Sequence, residues 1–103
     1  MSSARYDVRA APSFFEDLDR QLPSERGPNG EPSTTDFQTF ELLQIVDRFA
    51  TGFDDLPKLV PGRTDYRVLL ASGTLVRAYS VVGQVRPDGA VELLTLELDV
   101  GTD

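Results

Sequence analysis

DYRVLLASGTLVRAYSVV, residues Asp65–Val82, reads as a β-hairpin. Two runs rich in Val, Leu and Tyr flank Ala71-Ser72-Gly73, and a glycine there would supply the positive φ of a tight turn. One arginine interrupts each run, Arg67 on the first strand and Arg77 on the second. An arginine inside an apolar strand must reach water, a carboxylate or an anionic partner. The hairpin is therefore expected to be both the centre of a sheet and the place where binding or chemistry occurs.

Working outward, the basic residues gather around this hairpin. Lys58, Arg63, Arg67, Arg77 and Arg86 face only Asp65 within the same stretch, a local charge of +4 in a chain whose total is −7. The rest of the chain then carries −11. Such a segment could form a basic patch, or its arginines could pair with carboxylates of the same fold. The 103 residues suit one domain with one core. Neither cysteine nor histidine occurs, which removes disulfides, thiolate chemistry and the commonest general base and metal ligand. Any catalysis would fall to Arg, Lys, Tyr or carboxylates, and no metal or cofactor is expected. No apolar run approaches the ~20 residues of a membrane span, and the N-terminus lacks the apolar centre of a signal peptide, so a cytoplasmic protein is expected.

Upstream, Tyr6–Ala10 alternates like a short strand. Pro12 fits the first turn of a helix carrying Phe14, Phe15, Leu18 and Leu22, both phenylalanines being expected in the core, and Pro23 ends it. Residues 24–33, SERGPNGEPS, form a flexible inter-helix loop. Thr35 and Gln38 make a capping-box pattern for one long helix, with Phe37, Phe40, Leu43, Val46 and Phe49 as its core stripe and Gly52 as its C-cap. Asp54 and Asp55 read as solvated loop residues, and Pro57–Gly62 as an extended edge or loop. Downstream, Pro87-Asp88-Gly89 is a turn. Val91–Val100 is a strand, with Leu94, Leu96, Leu98 and Val100 on one face and Thr95, Glu97 and Asp99 on the other. The fold class is α+β, two helices packed on a mainly antiparallel sheet in the order β-α-α-β-β-β.

This order, the length and several short phrases resemble the RelE/ParE toxins of bacterial toxin–antitoxin systems. The phrases are Tyr6-Asp7-Val8 before a helix with Phe15, Leu18 and Leu22, then Pro57-Lys58-Leu59 with Gly62, Tyr66-Arg67-Val68, and Val76-Arg77 with Tyr79. The resemblance implies one RelE/ParE-like domain over residues 1–103, held in check by a cognate antitoxin protein. For members that cut messenger RNA on the ribosome it implies metal-free attack of a ribose 2′-hydroxyl on the adjacent phosphate. Arg67 would then clamp the phosphate, Lys58 would be a second cation or proton acceptor, and Arg77 and Tyr79 would be supporting donors. Arg63, Tyr66 and Arg86 would contact nucleic acid or partner. Glu97 and Asp99 stand where cutting members usually carry basic residues. The alternative is a non-catalytic member that binds a protein target, as gyrase inhibitors bind DNA gyrase, through its basic sheet face.

Overall fold

In a computed structural model, residues 5–28 and 30–99 are described. Val100 and Asn29, which the sequence places on the last strand and in the inter-helix loop, lie outside them. The elements are β1 (Val8–Ala10), α1 (Pro12–Gln21), α2 (Thr34–Phe40), α3 (Leu42–Gly52), a 3-10 turn (Phe53–Asp55), β2 (Tyr66–Ser72), β3 (Ala78–Val85) and β4 (Val91–Asp99). Three helices, not two, pack on one face of a four-stranded mixed sheet. Its order is β1-β4-β3-β2, with β1 parallel to β4 and the other pairs antiparallel.

The extra helix comes from a break at Glu41. The cap lies at Ser33, not Thr35: its hydroxyl accepts the Asp36 N–H, and Asp36 accepts the Ser33 N–H in return. The break turns the expected stripe out of phase. Phe37, Ile45 and Phe49 are fully buried, whereas Phe40 and Leu43 face solvent, Leu43 at 68 % exposure. Gly52 has no left-handed cap geometry, because the chain continues directly into the 3-10 turn. Of the two adjacent phenylalanines only Phe14 enters the core; Phe15 stands against it edge-on at the rim.

Alternation holds on β4 except at Leu93-Leu94, two consecutive leucines. A β-bulge absorbs the extra residue, since Val82 opposes Thr95 but Gly83 opposes Leu93. Val91 and Leu93 on one side of the bulge, and Leu96 and Leu98 on the other, then all face the helices. Leu94, expected with the inward set, is the extra residue and only half-buried.

β1 covers only three residues of β4, so the rest of that edge lies open to α1. Three side chains spaced four apart on α1 close it. Ser13 donates to the Leu94 carbonyl (2.6 Å), Asp17 accepts the Leu96 N–H (3.0 Å), and Gln21 donates to the Leu96 carbonyl (2.7 Å) and accepts the Leu98 N–H (2.7 Å). A helix thus supplies the ladder that a fifth strand would have supplied, and no bare edge remains there.

These bonds make the fold acid-sensitive. The Leu96 N–H first, and then Arg20, holds the Asp17 carboxyl below the usual carboxylate range. Asp36 is held low by Arg26 and the Ser33 N–H, Asp65 by Arg63 and Gln84, and Asp88 by the Ala90 N–H and Arg9. A depressed folded-state value contributes stability above the unfolded carboxylate pKa, about 4, which is lost as pH falls through the folded values. Urea midpoints are expected to be level from neutrality to about pH 5 and to fall steadily below about pH 4.

Candidate functional site

The hairpin is the sheet's outer half, and its turn is longer than the sequence suggested. β2 runs through Ala71 and Ser72, and the connection is Gly73–Arg77, so Arg77 sits in the loop instead of on a strand. Gly73 does not have positive φ. It is glycine for want of room: a Cβ there would run into Glu41 Oε2 and lie 2.8 Å from the Val76 carbonyl oxygen. Glu41 is fully buried at the α2–α3 break, and its Oε2 accepts the Leu75 N–H at 2.9 Å. Oε1 has no partner among the described residues. One buried carboxylate therefore ties the hairpin loop to the helices.

Arg67 is given backbone carbonyls as partners by the fold, and not a carboxylate. It points into the helix layer at 8 % exposure. Its Nε donates to the Thr64 carbonyl (3.0 Å) and its Nη1 to those of Asp54 (2.9 Å) and Leu56 (2.8 Å). The guanidinium also lies 5.5 Å from the centre of the Phe53 ring. Carbonyl oxygens satisfy the cation as a carboxylate would. Arg67 accordingly fastens the 3-10 turn and the crossover segment to β2 through its Nε and Nη1.

Tyr79 is likewise turned inward, edge-on to Phe37 at 6.5 Å. Burial, and then the Glu41 charge, pushes its phenol above the ordinary 10.0, which keeps the hydroxyl protonated. Arg63 forks onto Asp65 (2.9 and 2.8 Å) and lies 4.8 Å over the Tyr66 ring. Arg86 donates to Gln84 (2.6 Å) and approaches Glu92 (3.6 Å), while Gln84 donates to Asp65 (3.1 Å). The arginines at this end are thus neutralised within the fold. Lys58 and Arg77 remain exposed. Lys58 bridges Arg67 near the start of β2, and Arg77 precedes Ala78, the partner of Ser72 at its end. Five residue steps along the strand separate those points, about 17 Å. The four residues proposed for catalysis are not brought together.

What the sheet does expose is the outer end of β2. Lys58 and Leu59 cover the strand's first half, where the Leu59 N–H reaches the Tyr66 carbonyl and the Val68 N–H the Pro57 carbonyl. Past Val68 the same backbone edge continues through Leu70 and Ser72 with no neighbouring strand among the described residues. Leu70 is 68 % exposed. Grooves flank this edge on both faces. One, of about 490 Å³, lies on the open face over Ser72, Ala78 and Ser80, between Leu70 and Glu97. The other, of about 430 Å³, lies between Leu43, Asp47 and Arg48 of α3 and Ala71, Ser72 and Tyr79. A third, more polar cleft beside β1 is crossed by the Arg9–Asp88 ion pair (2.9 Å). Sequence reasoning did not single out Leu70, and it placed Leu43 in the core. The signal for Leu70 was its parity: with Arg67, Leu69 and Ala71 inward, Leu70 must face out.

Among the described residues no cluster of three or more His, Cys, Asp or Glu could hold a metal ion. No helix among them is long and apolar enough to cross a membrane. Fold and site together define a small mixed α+β domain with one half-open sheet edge between two grooves. Comparison with protein-family profiles, curated proteins and solved structures finds no significant match to this chain.

Proposed function

We propose that this chain is a non-catalytic member of the RelE/ParE type that acts by binding an extended segment of a protein partner, such as a cognate antitoxin, at the outer end of β2. The observation that carries this reading is the division of labour on the hairpin. Its cations are buried, paired or far apart, whereas its unprotected edge lies between two grooves with exposed leucines. Metal-free phosphoryl chemistry needs several cations converging on one phosphate. Edge binding needs unpaired backbone groups flanked by places for alternate side chains, which point to opposite faces of an added strand. The element order and the β1-β4-β3-β2 sheet are compatible with the RelE/ParE arrangement.

Co-expression with any small protein that proves to be encoded beside its gene tests the reading. A stable complex is expected, weakened by Leu70→Lys or Leu43→Lys. Both residues are largely exposed, so neither substitution should change stability by more than about 0.5 kcal/mol. A complex indifferent to both would move the binding site elsewhere.

A further inference from the structure

The open-face groove carries information about what fits it. β-sheet register sets its side chains in rows: Leu70, Ser80 and Glu97 form one row across β2, β3 and β4, and Ser72, Ala78 and Asp99 the next. The middle strand contributes only Ser80 and Ala78, so the floor is low. Leu70 forms one wall and Glu97 the other, two strand spacings or about 10 Å apart. Glu92, further back on the same face, is paired with Arg86, but Glu97 has no ionic partner among the described residues. The trough therefore has an apolar wall, a shallow floor and an unpaired carboxylate wall.

We infer that this trough receives a lysine or arginine side chain of the partner segment, with the aliphatic stem against Leu70 and the charged head at Glu97. The inference rests on the partner-binding reading and names the chemistry of the occupant. A long cationic side chain matches the trough because its stem covers apolar surface while its head stays at a wet, acidic rim. An aspartate or glutamate of the partner would meet Glu97 and be repelled, as would a nucleic-acid phosphate. The selected partner is thus cationic here, opposite in sign to the acidic segment that a basic face would take. Glu97 becomes the residue that sets specificity.

The test is a display selection of random twelve-residue peptides on the intact protein, followed by fluorescence-anisotropy titration of the selected peptides. Peptides that compete for this end, judged by loss of binding to Leu70→Lys, are expected to share a Lys or Arg beside an apolar position. Glu97→Gln should weaken them about three- to tenfold. Glu97→Lys should weaken them further and, in a fresh selection, favour acidic peptides. Glu16→Gln, an exposed acid on α1, should leave binding unchanged. Binders sensitive to Leu70→Lys but without a basic residue, or indifferent to Glu97→Lys, would overturn the inference and leave the partner-binding reading standing. If no binder is sensitive to Leu70→Lys, both are overturned. A dimer of this chain that Leu70→Lys dissociates, or single-stranded RNA bound at this end, would also overturn the inference by naming a different occupant.

Discussion

Arg67→Met is expected to lower the unfolding free energy by about 1–3 kcal/mol, the cost of leaving a buried acceptor without its donor. The substitution keeps much of the apolar stem but leaves the carbonyls of Thr64, Asp54 and Leu56 without their donor. Only the Leu56 bond is buried, and an unsatisfied buried acceptor costs about 1–3 kcal/mol; Thr64 and Asp54 are exposed residues. Arg67→Lys should recover little, because an ammonium cannot reproduce the planar fork that meets three carbonyls from two nitrogens. Lys58→Ala and Arg77→Ala, at exposed positions, should stay within about 0.5 kcal/mol. Urea denaturation of the four variants checks this contrast. The result bears on function, because an Arg67 variant that loses activity through unfolding would look like a catalytic knockout. Wild-type stability in Arg67→Met would return Arg67 to the list of groups free to act on a substrate.

Gly73→Ala is expected to cost about 2 kcal/mol, within the 1–3 kcal/mol typical of forced overpacking. The new methyl would collide with Glu41 Oε2 and with the Val76 carbonyl. The carboxylate cannot swing away freely, since it is buried and holds the Leu75 N–H. Glu41→Ala removes one of the two obstacles and should itself destabilise, through a cavity and an unsatisfied Leu75 N–H. The two substitutions should therefore be less than additive, with a coupling of about 1 kcal/mol in a double-mutant cycle. Full additivity would mean that the loop is not held by this carboxylate. Both lesions loosen the loop beside the proposed binding edge, so they should also weaken partner binding.

Much of the architecture was legible because it follows from periodicity and turn chemistry. Pro12 starts α1, Pro87-Asp88-Gly89 turns β3 into β4, and the alternation of β4 from Thr95 to Asp99 marks a half-buried strand. Gly89 has the left-handed φ that this turn requires, and Asp88 accepts the Ala90 N–H. The misread features share one physical cause: long-range contacts that local patterns do not encode. Glu41 ends α2 because its carboxylate is needed by a loop 34 residues away. Leu93-Leu94 breaks the alternation because β3 and α1 together accommodate a bulge. Arg67 looked like a ligand-binding cation because its partners are backbone carbonyls, which leave no mark on a sequence. The candidate site was legible only in outline. The sequence drew attention to the hairpin through its charges, whereas the fold exposes there the outer edge of β2 and Leu70.

The most direct measurement maps new 5′-hydroxyl RNA ends in bacteria shortly after induction of this chain and, in parallel, of its Lys58→Ala/Arg77→Ala variant, which should fold normally. A partner-binding protein with dispersed cations predicts no new ends from either chain, with both accumulating in soluble form. New ends inside translated messages that vanish in the variant would show that Lys58 and Arg77 act together on RNA and would contradict the non-catalytic account.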